Sequence, residues 1–207
     1  MSSHQMREDA APRPSLFITA SGTALLLSLG LALGSAAAAE QDKQALIEEA
    51  LSAAPPQVAE TAKIMDWDGT VLKEGSEDFT CLPTPPPARS RGVAPMCLDA
   101  AWMAWLDAYK EKREDYRPSE AGVAYMLAGD AGASNIDPFA TGQTPDNEWV
   151  VEGPHIMLLL PDPAQLDALS ADAHGAPGPY VMWKGTPYAH VMVPTAERPA
   201  PETAEQQ

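Results

Sequence analysis

Several chemistries have no foothold in this 207-residue chain. It carries no Gly-x-Ser-x-Gly elbow for a serine nucleophile, no glycine-rich loop to cradle a phosphate and no haem-attachment motif. Basic charge is scarce: 13 Lys and Arg stand against 29 Asp and Glu, for a formal net charge of −16. So acidic a chain repels nucleic acid and anionic membrane, and neither is expected as a partner. Acidity also serves solubility, so by itself it selects no partner. Cysteine is nearly missing, with only Cys81 and Cys97. Between Leu16 and Ala39 charge disappears altogether.

That uncharged stretch is the first positive signal. Leu25, Leu26, Leu27, Leu29, Leu31 and Leu33 form its apolar centre, and it closes on Ser35-Ala-Ala-Ala-Ala39 before polar Glu40-Gln41-Asp42. An apolar core, small residues at a cleavage point and an abrupt polar return are the layout of a secretory signal peptide over residues 1–39. Its front end departs from the pattern, because Glu8 and Asp9 offset Arg7 and Arg13. An uncleaved membrane anchor is the rival, since 24 uncharged residues suffice to cross a bilayer. Thr19, Ser21, Gly22, Thr23, Ser28, Gly30 and Gly34 dilute that run, and no cysteine stands at the cleavage point to carry a lipid. The expected product is an exported protein, periplasmic or extracellular, of 168 residues with the same −16 charge. That length can enclose a sizeable core.

Export favours oxidation, so Cys81 and Cys97 are expected to form a disulfide. The 15 residues between them include Pro83, Pro85, Pro86, Pro87 and Pro95, a segment poor in helix and sheet propensity. Closing such a loop contributes about 3 kcal/mol in the chain-entropy account. A redox or metal role would favour the closer Cys-x-x-Cys spacing.

Periodicity supplies the elements. A helix is expected over 41–54, ended by Pro55-Pro56, with a short helical turn after it. Apolar residues flank Asp68-Gly69, the signature of a hairpin across 63–74. Asp99 is placed to cap a helix running to about Glu114, with Trp102, Trp105, Leu106 and Tyr109 on one face. Strands are expected at 123–127, 155–160, 180–183 and 188–193, the last two paired across Lys184-Gly-Thr-Pro187, and a short helix at 162–169. The sum is one α+β domain over 40–194, with an antiparallel or mixed sheet and helices mainly in its first half. Pro, Glu, Ala and Gln dominate 195–207, which reads as a disordered tail.

Two constellations could carry chemistry. Asp66-Trp-Asp-Gly-Thr70 is similar to the opening Asp-x-Asp-Gly-Thr motif of haloacid-dehalogenase-like phosphatases. That resemblance would make Asp66 the nucleophile and Asp68 the acid/base of a phosphoryl-transfer hydrolase, with Asp130 and Asp137 standing where a magnesium motif is sought. The segment before Asp66 is only weakly apolar, and alternating βα units are not evident, so a plain Asp-Gly turn accounts for the motif as well. The second constellation is His155-Ile-Met157 and His190-Val-Met192, echoed by Tyr180-Val-Met182. Residues two apart on a strand share a face, so His155, Met157, Met182, His190 and Met192 could form a soft site suited to copper, Cu(I) above all. Met also fills core gaps, a His beside Gly-Pro can simply bond a loop carbonyl, and the pattern does not fix the register that would join the pairs. His174 falls in a loop and reads as solvated, while Trp102 and Trp105 read first as core.

Further motifs extend these: Thr80-Cys-Leu-Pro83, Pro95-Met-Cys-Leu-Asp99, Ser134-Asn-x-Asp-Pro138, Gly153-Pro-His155 and Gly185-Thr-Pro-Tyr-Ala-His190. With Asp66-Trp-Asp-Gly-Thr-Val-Leu72 they make residues 54–194 resemble a family of exported bacterial proteins to which no activity is assigned. The resemblance implies export and transfers no substrate. The expectation is an exported binding module rather than an enzyme, with copper as a candidate ligand and the phosphoryl-transfer hydrolase as the alternative.

Overall fold

The computed structural model describes residues 24–175 and 178–198. The chain divides into two compact units, 1–40 and 41–207. Of the expected leader, residues 1–23 lie outside the described residues, and 24–39 are helical backbone. Among the described residues no helix is long and apolar enough to cross a membrane.

In chain order the elements are α1 (Ala24–Leu51), α2 (Pro56–Ala59), β1 (Ala62–Met65), β2 (Val71–Lys73), β3 (Ser76–Leu82), β4 (Met96–Leu98), α3 (Ala100–Lys110), β5 (Gly122–Met126), β6 (Ala133–Ser134), β7 (Trp149–Val150), β8 (His155–Leu159), α4 (Pro163–Asp167), β9 (Tyr180–Met182) and β10 (His190–Pro194). Eight strands form one sheet in the order β2-β1-β3-β4-β5-β8-β10-β9, and β6 pairs with β7 apart from it. The β1–β3 pair is parallel and the other pairs are antiparallel. This is the expected α+β domain, with a mixed sheet and one disulfide.

Local chemistry explains most boundaries. The Asp68-Gly69 turn joins β1 to β2, with Gly69 at φ +89°, where a side chain would be strained. Asp99 caps α3 by accepting from the Trp102 amide at 2.9 Å, and its other oxygen accepts from the Val123 amide at 2.5 Å, tying the helix start to β5. The helix stops at Lys110, four residues before the expected end, and Lys112 then takes a left-handed conformation at φ 53°. Trp183 does the same at φ 57° and ends β9 one residue early. Gly122 lets α3 lie directly on β5, since a Cβ there would come within 2.9 Å of the Ala101 methyl.

Periodicity missed β3, β4, β6 and β7, and the first two of these are held by pairing rather than by pattern. Cys81 sits directly opposite Cys97 between them, and the expected disulfide is formed there. The proline loop that it closes is further ordered by buried Thr84, whose hydroxyl donates to Glu49 of α1 and accepts from the Ala94 amide. Of the expected tail, 199–207 lie outside the described residues, and 195–198 are described. Thr195 donates from both its amide and its hydroxyl to the Pro154 carbonyl, and Arg198 reaches buried Glu152.

The two faces of the sheet are packed differently. One face carries Ile64, Cys81 and Cys97 against Ile47, Ala50 and Ala53, while further along it Val181 and Val191 pack with Leu166 of α4. On the other, Leu98, Ala124, Met157, Met192 and Tyr180 form one row across five strands beneath Trp102 and Trp105 of α3.

Candidate functional site

Between that second face and α3 lies a cavity of about 650 Å³. Strand alternation builds its floor: Met126, His155, Met157, His190, Met192 and Met182 all face inward. Its wall is the aromatic side of α3 together with Trp183. Trp105 runs parallel to Tyr109 at 5.3 Å and to Trp183 at 5.9 Å, and Phe139 continues the stack from Tyr109 at 5.3 Å. Phe139, 38% exposed, marks where the cavity meets solvent. Five of the seven methionines that follow the leader line this one space.

Register decides how the two His-x-Met repeats meet. Met157 is directly opposite Met192, so the thioether side chains are neighbours. Because β8 and β10 are antiparallel, the histidines lie at opposite ends of that pair. His155 is opposite Met126 on β5, and His190 is opposite Met182 on β9. From the strand rise, the two backbones are offset by about 13 Å along the strands. All five residues named from the sequence therefore share a face and a cavity, but the repeats bring methionines together and hold the histidines apart.

Each imidazole is oriented by a backbone carbonyl. His155 Nδ1 lies 2.7 Å from the Gly153 oxygen and His190 Nδ1 2.9 Å from the Tyr188 oxygen. A carbonyl can only accept, so both Nδ1 atoms carry a proton. His155 Nε2 is buried with no protein partner. The His190 ring meets Trp183, Trp102 and Trp105 edge to face at 5.1, 5.2 and 5.7 Å. Burial pushes its pKa down to about 4; the Tyr188 hydrogen bond opposes that shift and repulsion from His155 adds to it. At neutral pH it is an uncharged, oriented acceptor. Trp102 Nε1 and Trp105 Nε1 are likewise buried and unpartnered.

At one end of the cavity a polar network abuts the histidine. Asp130 Oδ1 accepts from the Gly132 and Glu152 amides, each at 2.9 Å, and burial raises its carboxyl above the usual range against an opposing pull from His155. Glu152, fully buried, accepts from Tyr180 at 3.1 Å and is gripped through both oxygens by Arg198 Nε at 3.0 and 2.9 Å. Burial and the adjacent Glu152 raise the Tyr180 phenol strongly, so it stays a neutral donor.

The phosphatase-like motif falls elsewhere. Asp66 accepts from the Trp67 amide and Asp68 from the Thr70 amide, so both carboxylates stabilise their own turn, and neither lines the cavity. The Thr70 amide, then its hydroxyl, lowers the Asp68 pKa, opposite to what a general acid needs. Asp137 likewise accepts from the Phe139 amide. His174 is exposed, with its amide on Asp172. Among the described residues no three His, Cys, Asp or Glu side chains are grouped to hold a metal ion.

Trp67, Met96, Met126 and Trp183 also line the cavity and were not singled out from the sequence, and Asp130, read there only as part of a magnesium motif, joins them. Only the Met182-Trp183 juxtaposition hinted at them, since the rest are assembled by strand order. No protein-family model, curated protein or solved structure matches this chain.

Proposed function

We propose that this is an exported, non-catalytic binding module that holds a small molecule between its sheet and α3. The observation that carries the reading is the cavity itself. Its volume of about 650 Å³ falls within the ~300–1,000 Å³ of small-molecule sites, and it is walled by aromatic and methionine side chains with a few fixed polar groups. Methionine suits such a wall, being polarizable and able to adapt to a ligand's shape. Four tryptophans line the space, so occupancy is readable as a change in intrinsic emission. Screening apolar small molecules by emission and thermal shift should yield a saturable binder. Its binding should be lost in Ala133→Trp, which fills the lining, with the fold retained by circular dichroism. Saturation unchanged in that variant would place the ligand elsewhere and remove the reading.

A second reading, Cu(I) binding, is favoured by the Met157–Met192 pair, with Nδ1-anchored imidazoles leaving Nε2 free at either end. A Cu(I) competition titration on wild type, Met157→Leu/Met192→Leu and His155→Ala/His190→Ala tests it. Stoichiometric uptake should be abolished by the methionine pair and weakened by the histidine pair. Equal uptake by all three would leave these residues as cavity wall alone.

A further inference from the structure

The lining of the cavity changes character at its rim. Outside the leader the chain has 11 Lys and Arg, and three of them, Arg91, Lys110 and Lys112, stand around this one cavity in a protein of net charge −16. Among the described residues none of the three is ion-paired to a carboxylate; the recorded pairs use Lys63, Arg113 and Arg198 instead. Among the described residues Lys43, Lys73, Arg89, Arg117 and Lys184 also have no ion pair. It is the gathering of Arg91, Lys110 and Lys112 at one cavity, outside a leader whose removal leaves 27 acidic residues, that suits an outside anion.

Each cation is also positioned. Lys110 Nζ lies 5.3 Å from the centre of the Trp67 ring, Lys112 Nζ 4.9 Å from Phe139 and the Arg91 guanidinium 5.6 Å from Trp149. Arg91 is fixed further by donating to the Pro87 carbonyl at 3.0 Å and the Ala131 carbonyl at 3.4 Å. Lys112 is the left-handed residue just past the end of α3. The two carboxylates in the lining, Asp130 and Asp137, each already accept backbone amides. Behind the rim the walls are mainly methionine and tryptophan, with His155, His190 and Asp130 as fixed polar groups.

Resting on the binding-module reading, we infer that the ligand is an anionic amphiphile: an apolar body seated against the methionine and tryptophan walls, with one acidic head met at the rim by Lys110, Lys112 and Arg91. The shared chemistry is a single carboxylate or phosphate on an apolar chain or ring system. The net charge of −16 keeps the protein off anionic bilayers, so the free molecule is the form taken up.

The test compares dodecanoate, dodecyl phosphate, methyl dodecanoate and dodecylamine below their aggregation limits, by calorimetry and tryptophan emission on protein recovered from a periplasm. Dodecanoate or dodecyl phosphate should bind one to one, at least tenfold tighter than the ester and the amine. In Lys110→Gln/Lys112→Asn, where Asn suits the left-handed position, that preference should fall about tenfold while ester binding is unchanged, and Arg91→Gln should act in the same direction. Rising salt should weaken the acid and spare the ester. Vesicles of phosphatidylglycerol should not retain the protein; retention would identify bilayer lipid as the source of the head and overturn the free-molecule form. Equal binding of acid, ester and amine would overturn the anionic head but keep the cavity reading. No binding of any probe would overturn both.

Discussion

The two faces of the sheet are made by alternate residues of the same strands, yet they serve different ends. On β4, Cys97 faces the packed side with Ile64, Ala50 and the disulfide, while its neighbour Leu98 faces the hollow side with Met157 and Trp102. The packed face buries Ile64, Val181, Val191 and small residues, with Phe79 and Tyr125 at its margin, and is stapled covalently. The hollow face uses methionines and aromatics, leaving a space of about 650 Å³ that a close-packed interior would have filled. One face is stapled covalently, and room for a ligand is kept on the other.

Truncation on the packed face breaks this comparison most severely. Ile64 is fully buried, and Ile64→Ala should cost about 2–5 kcal/mol, read from urea unfolding. A cost below ~1 kcal/mol would mean that this face adapts as freely as the other. Replacing the disulfide by Cys81→Ala/Cys97→Ala should cost about 3 kcal/mol by the loop-closure account. Probe binding in the cavity should survive that change at temperatures where the variant is folded; concerted loss of binding would couple the faces.

The next test uses pH. His190 is held neutral to about pH 4, whereas an unfolded histidine takes up its proton near pH 6.5. Between those values the unfolded chain binds more protons, so His190 lowers stability as pH falls through the window. The raised carboxyl of Asp130 acts in the opposite direction, so the informative quantity is the difference between wild type and His190→Gln. That difference should change by up to ~3 kcal/mol between pH 7 and pH 4. Parallel stability curves would show that the imidazole is not held neutral. The smallest effect belongs to the hollow face: Met157→Leu/Met192→Leu should cost under ~1.5 kcal/mol, because volume is conserved and the wall has slack. A larger loss would show that the methionine pair is a structural keystone.

What could be read in advance divides along physical lines. Asp68-Gly69 and Asp99 act through local backbone chemistry, and both were legible from a few adjacent residues. The pairing of β9 with β10 was legible as well, since a short turn joins them. Strand β3 was not, because Ser76, Glu77 and Asp78 give it a polar start and its partner β4 is three residues beside a proline. The cavity was illegible for a deeper reason. The sequence shows that His155 and Met157 share a face, but the antiparallel register alone tells that Met157 meets Met192 and that the histidines part. Trp67 and Asp130 join them only through strand order, which no local pattern encodes.

The last described residue has a practical consequence. Composition invites an experimenter to trim the chain after Pro194, discarding what looks like solvent-exposed ballast. Arg198 lies beyond that cut, and it brings the counter-charge to a carboxylate with no exposed surface. A shortened protein would keep every strand and both cysteines and still leave Glu152 without its Arg198 partner. Any processing enzyme or affinity handle placed close behind Pro194 meets the same constraint, so the safe boundary at this end of the molecule is set by electrostatics rather than by secondary structure.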